Sequence, residues 1–244
     1  MKNKNDLDLT VIIPFYKRDV FALEILKAID SENNKLSLII EVIYVDSHSS
    51  DKLENILSNY TKKSDLRYRV IHTDNYVGAK RNFGIKASDS EYIICIDDDC
   101  IPGKDFLKNH FNKLKNSKIN KVIYSGMVTF PDDLCDTSNY YRFRNSRHRF
   151  YDNIYLADEK IDFNNFVTMN MSFKKSDLVN ENLFFDNEYI TYGLEDTQFG
   201  LDALKKEFVL KTCLSTIIHQ ESTSIDLFLL KIRNFAQNYF FQFY

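Results

Sequence analysis

The chain has 244 residues, 44% apolar, 27% charged and 14% aromatic, with six Gly and three Pro, the composition of a soluble globular protein. A compact domain of this size buries roughly 70–75% of the surface its unfolded chain exposes, so neither a disulfide nor a structural zinc is required for a core. Lys plus Arg (32) nearly balances Asp plus Glu (35), and the formal net charge of -3 argues against nucleic acid as the main partner.

Four short apolar runs, Leu9–Phe15, Leu38–Val45, Tyr68–His72 and Tyr92–Ile96, alternate with segments of helical spacing, which predicts a parallel sheet. Leu53, Ile56, Leu57 and Tyr60 fall on one helical stripe, and Leu107, Phe111 and Leu114 repeat the pattern after the fourth run. Asn120–Phe130 reads as one or two strands. Pro131–Lys160 is polar, charged and aromatic without a period, the mark of a long functional loop. Phe166–Phe173 predicts a strand, Thr197–Glu207 a helix, and Phe208–Ile218 an extended segment leading to His219. A last helix carries Phe228, Ile232, Phe235 and Tyr239 on one stripe. The aromatic tail Asn238–Tyr244 calls for a cover: the domain itself, a partner, a membrane surface or a further segment.

Cys95, Cys100, Cys135 and Cys213 show no C-x-x-C spacing and read as reduced thiols. Met1–Thr10 is polar and charged, unlike a signal peptide, and no later run reaches the ~18 apolar residues of a membrane span. The expected location is the cytoplasm.

The sharpest local feature is Glu91–Asp99, a buried strand ending in Asp97, Asp98 and Asp99. In an extended chain Asp97 and Asp99 point to the same side, as two oxygen ligands for a hard divalent cation such as Mg²⁺ or Mn²⁺. Ligands of open α/β sheets bind beyond the carboxyl ends of strands, where this triplet falls. The same three residues also suit a solvated acidic turn.

These residues, together with Val11–Lys17, the segment Glu41–Asp51, Gly78–Ala87 and Tyr192–Phe199, resemble the family 2 glycosyltransferases, whose fold is the α/β GT-A nucleotide-sugar domain. The resemblance covers most of the chain. It implies one GT-A domain over residues 1–244, with a nucleotide-binding half over 1–100 and an acceptor-binding half over 101–244. It also implies that Pro14 and Tyr16 border the nucleotide-sugar and that Asp46 accepts the uracil imide N–H. Ser47-His48 departs from the aspartate and glycine usual at that turn, and the alternative for Asp46 is a turn-initiating side chain. Asp97 and Asp98 then face the nucleotide-sugar, and Asp97 and Asp99 the metal.

Arg81, just before the metal strand, either forks onto phosphate oxygens, stacks on a base, or is an ordinary exposed helix charge. Asn82 shapes the same wall. In the family's G-x-E-D motif a carboxylate takes the acceptor's proton; Asp196 matches that base, with Glu195 as runner-up or acceptor ligand and Gly193 at the acceptor. Acidic residues in a first turn also complement the helix dipole without any catalytic role. His219 falls where related chondroitin-polymerase and galactosyltransferase-type enzymes carry a histidine, a third metal ligand beside the carboxylates or a structural histidine. Asn170, in a segment similar to the family's acceptor-side strand, orients a sugar hydroxyl or satisfies a buried backbone. The basic, aromatic stretch Tyr140–Arg149 is a mobile-loop candidate for a diphosphate, an anionic glycan or lipid headgroups, or a solvated loop.

The resemblance therefore implies an inverting transfer of a hexose or N-acetylhexosamine from a UDP-sugar to a carbohydrate or lipid-linked glycan hydroxyl, with Mn²⁺ or Mg²⁺, in bacterial surface polysaccharide or glycoconjugate synthesis. The aromatic C-terminal helix would suit peripheral contact with the inner membrane face or with a protein. The alternatives are a non-catalytic nucleotide-sugar or glycan-binding module and a sugar-phosphate nucleotidyltransferase. The latter needs a Gly-rich phosphate cradle that Pro14–Arg18 lacks.

Overall fold

The computed structural model describes residues 7–48, 51–61, 64, 66–74, 76–148, 158–187, 194–220 and 225–243. Its first half alternates strand and helix: β1 (Leu9–Phe15), α1 (Asp19–Leu36), β2 (Ile40–Asp46), α2 (Asp51–Thr61), β3 (Arg67–His72), α3 (Val77–Ala87) and β4 (Tyr92–Ile96). The second half runs β5 (Cys100–Pro102), α4 (Phe106–Asn116), β6 (Val122–Thr129), α5 (Asp132–Thr137), α6 (Asn139–His148), β7 (Asn170–Lys174), α7 (Lys175–Asn180), α8 (Glu195–Lys205), β8 (Val209–His219) and α9 (Ile225–Phe243).

One sheet has the order β3-β2-β1-β4-β7-β6-β8-β5. The first four strands are parallel, as the apolar runs predict, because α1, α2 and α3 cover both faces and every residue of β1 is buried. Successive β1 side chains feed two layers: Val11 and Ile13 pack with Ala22, Ile25, Leu57 and Phe106 on one face, and Ile12 packs with Ile85, Leu178 and Phe199 on the other. Helix α3 lies so close that a Cβ on Gly84 would meet Ile12 Cγ2 at 2.5 Å.

The sheet reverses at β7, which pairs antiparallel with both β4 and β6, while β8 runs parallel to β6. The carboxyl ends of β1, β2, β4 and β8 and the start of β7 therefore share one edge. Asn170 lies opposite Ile96, and His219 opposite Cys100. Each chemically loaded motif of the sequence lies at or beside this edge.

Four details differ from the sequence reading. Much of the expected loop at 131–160 is helix: α5 opens with Asp132 and Asp133 in its first turn, and α6 has no apolar stripe by which it could have been read. It is held by rings and a guanidinium, with Arg144 over Phe130 at 5.5 Å and over Phe228 at 5.1 Å. The 166–173 strand begins only at Asn170, because Thr168 turns away to bond Asp196. Helix α8 starts two residues early, at the acidic pair. In α9 Phe228 packs on Tyr140 and Phe143, whereas Ile232 of the same expected stripe is 46% exposed; the side chains of Phe235 and Tyr239 lie outside those described. Among the described residues, no helix is long and apolar enough to cross a membrane.

Candidate active site

A cleft of about 300 Å³ opens at the shared edge, lined by Pro14, Tyr16, Arg18, Val77, Lys80, Asp97, Asp98, Asp99, Met169, Glu195, His219 and Lys231. Its acidic floor is a tight turn and not an extended chain: the Asp97 carbonyl accepts the Cys100 N–H at 3.1 Å. The three carboxylates therefore fan out to three sets of partners.

Asp97 turns toward α3, where Arg81 Nη2 donates to its Oδ1 at 2.6 Å. The other arm of that guanidinium, Nη1, lies 3.4 Å from Asp196 Oδ1, the oxygen that also accepts Thr168 Oγ1–H. Arg81 is 1% exposed, rests 5.2 Å from the Phe185 ring, and so bridges the acidic triplet and the acidic pair from beneath the cleft. Burial and the neighbouring charges of Asp99 and Asp196 raise the Asp97 carboxyl despite Arg81.

Asp98 turns toward the segment after β1. Tyr16 N–H donates to its Oδ2 at 2.7 Å and Arg18 Nη1 to its Oδ1 at 2.6 Å, while burial pushes the carboxyl up to about 6. Asp99 turns toward β8: its Oδ2 is 3.3 Å from His219 Nε2 and 2.5 Å from Arg18 Nη1. Burial alone would raise this carboxyl, but the hydrogen bond and charge of His219, with Arg18, hold it down at about 2.

Asp99, Cys100 and His219 bring one donor atom each within 4.8 Å of one another. The Cys100 thiol is pushed well up by burial and by the Asp99 charge, so it remains protonated and is a poor partner for a hard cation. Carboxylate plus imidazole is a fitting donor pair for Mn²⁺. Among the described residues the buried His219 Nδ1 has no hydrogen-bond partner, and the ring is held on its Nε2 side by Asp99 and packs on Phe130, 5.2 Å away. These residues fit a divalent cation.

On the facing wall Glu195 opens α8 after Leu194, whose φ of 76° is left-handed and swings the acidic pair toward the cleft. Burial, then the adjacent Asp196, raises Glu195 to about 7. Lys80 stands beside Tyr16, donates from Nζ to the Phe15 carbonyl at 2.7 Å and is lowered by burial to about 8.

The remaining predicted residues are less central. Asp46, 1% exposed, accepts the His48 N–H at 2.9 Å and borders a neighbouring recess with Phe15, Lys17 and Lys52. Asn82 clamps Phe185 by bonds of 2.7 and 2.8 Å to its carbonyl and N–H, which seats the ring beneath Arg81. Asn170 is fully buried and bonded to His110 and to the carbonyls of Met127 and Ser215, the geometry of a backbone clasp. Gly193 lies outside the described residues. Arg18, Lys80, Thr168 and Lys231 escaped the sequence reading because each is an ordinary polar residue whose role depends on distant strands.

A family model described as Glycosyl transferase family 2 matches residues 10–177. An uncharacterized glycosyltransferase of Rickettsia conorii is 31% identical over 122 residues, 50% of this chain and 19% of that protein. The chondroitin synthase of Pasteurella multocida is 24% identical over 228 residues, 81% of this chain and 23% of that protein. The chain thus spans about a fifth of the length of these curated relatives. Among solved structures, S. aureus TarS 1-349 in complex with UDP-GlcNAc has a TM-score of 0.61 at 16% identity, covering 89% of this chain and 61% of that one, a likeness of fold.

Proposed function

Since the chain belongs to glycosyl transferase family 2, we propose that it moves a hexose or N-acetylhexosamine from a UDP-sugar to a carbohydrate hydroxyl with inversion, aided by Mn²⁺ or Mg²⁺. The observation that carries this reading is the single cleft in which Asp97, Asp98 and Asp99 face Glu195, with Asp196 tied to Asp97 through Arg81. The UDP and UDP-GlcNAc held by S. aureus TarS in its structures support the choice of nucleotide.

In this reading residues up to about Cys100 bind the nucleotide and the remainder meets the acceptor. Tyr16, 43% exposed, sets its ring edge-on to His48 at 6.4 Å, and His48 borders the recess of Asp46, a carboxylate able to accept a base N–H. Asp99 and His219 hold the cation, whose bound charge would offset the negative charge building on the departing diphosphate. Asp196 takes the acceptor's proton, with Arg81 and Thr168 fixing the position of its Oδ1. A base opposite the leaving group gives inversion.

A second assignment of the base, to Glu195, is favoured by one observation: Glu195 itself lines the cleft with an affinity for protons near neutrality. Incubation with UDP-, GDP- and dTDP-sugars with and without Mn²⁺, read by thermal shift and by donor hydrolysis, tests the function. Stabilisation and slow hydrolysis confined to UDP-sugars with Mn²⁺ are expected. Binding without any hydrolysis or transfer would leave a sugar-nucleotide-binding module instead.

A further inference from the structure

We propose that Arg18 is a tethered counter-cation of the acidic turn, which a divalent cation displaces and which then contacts the donor's diphosphate. The inference rests on the reading of Asp99 and His219 as the metal pair. One nitrogen, Arg18 Nη1, serves two carboxylates, 2.6 Å from Asp98 Oδ1 and 2.5 Å from Asp99 Oδ2. That Asp99 oxygen is the one 3.3 Å from His219 Nε2. A cation seated between these donors meets the guanidinium on the same oxygen, and two positive charges at one oxygen repel.

Of the partners in this contact, Arg18 is the one able to leave. Its side chain is 42% exposed, against 8% for each carboxylate. Its backbone is fixed independently: the Arg18 carbonyl accepts the N–H groups of Phe21 and Ala22 at the start of α1, and its side chain makes no capping bond. The side chain therefore swings from an anchored backbone. It borders the same cleft as Lys80 and Lys231, and a guanidinium released from two carboxylates is shaped to fork onto phosphate oxygens. The exchange keeps a cation at the carboxylates in both states. Arg18 partly offsets their charge in the free protein, and in the loaded one the metal takes the carboxylates while Arg18 takes the diphosphate.

Titration calorimetry on the wild type and Arg18→Met tests the exchange, first with Mn²⁺ alone and then with UDP and with uridine at saturating Mn²⁺. Met keeps the apolar stem and removes the charge; thermal melts check that the variant is folded. The expected result is Mn²⁺ bound about tenfold more tightly by Arg18→Met, UDP about tenfold more weakly, and uridine unchanged. Mn²⁺ affinity equal to or below that of the wild type would overturn the role of Arg18 while leaving the metal pair standing. Absence of Mn²⁺ binding in both proteins would overturn the metal pair and this inference together.

Discussion

Arg81 and Asp196 are separated by 115 positions in the chain and lie 3.4 Å apart, on a guanidinium whose other arm holds Asp97 at 2.6 Å. Two loaded motifs thereby share one buried counter-charge. Removing it leaves two carboxylates facing each other without compensation. We expect Arg81→Met to lose about 3 kcal/mol or more of stability in urea unfolding, together with sugar transfer. Arg81→Lys should lose less stability than Arg81→Met because it keeps the positive charge, but not recover the wild-type value, since a point charge cannot fork to both partners.

The acidic pair separates by substitution. Asp196→Asn should bind UDP like the wild type and transfer no sugar, whereas Glu195→Gln should retain transfer and lose any acid limb near pH 7. Turnover retained by Asp196→Asn and lost by Glu195→Gln would move the base to Glu195. Glu195 is raised from an ordinary 4.5 to about 7, so between those values the folded protein binds the extra proton, and ionising this group at higher pH opposes folding. Relative to wild type, Glu195→Gln should accordingly be more stable at pH 8 than at pH 5, as read by paired denaturation curves.

His110 is fully buried between Ser172 at 2.8 Å and Asn170 at 2.7 Å, and burial lowers its imidazole from 6.5 to about 4. Between these values the unfolded chain binds the proton and the folded one does not, so its stability contribution is complete above pH 6.5 and is lost as pH falls through 4. The wild type should lose about 2 kcal/mol from this group between pH 7 and 5. In His110→Gln that part of the slope should disappear, even though the variant starts lower.

Gly84 sets how closely α3 approaches the sheet. Its missing Cβ would meet Ile12 Cγ2 at 2.5 Å and Val45 Cγ2 at 3.2 Å. Gly84→Ala should cost about 1–3 kcal/mol through overpacking, despite alanine's better helix propensity. Because Lys80 and Arg81 lie one turn upstream, UDP affinity measured by calorimetry should fall as well.

The sequence made the parallel half legible because fully buried strands are continuous apolar runs, and β1, β2 and β4 carry little else. The acidic triplet and the acidic pair stood out for a similar reason, as charges placed where apolar strands or helices begin and end. What could not be read was which partner each charge takes. Alternation along an extended chain put Asp97 and Asp99 on one side, but a turn closed by Cys100 N–H sends one to Arg81 and the other to His219. Helix α6 lacked a period because its anchors are rings and Arg144 packed on Phe130 and Phe228. Asn170 has the same chemistry in a sugar site or a buried clasp, and only strand pairing decides.

The opposed directions of β4 and β7 have a consequence for divergence within such a fold. Along the common rim β7 presents an entrance where its neighbours β4 and β6 present exits, so the connections feeding the two sides are separate stretches of chain. Under the proposed function, substitutions or insertions before β7 and around α8 would remodel the acceptor side without disturbing β1, β2 and β4. The constraint on that latitude is a single guanidinium spanning the seam, so variation on either side is tolerated only where it leaves Arg81 its two carboxylates.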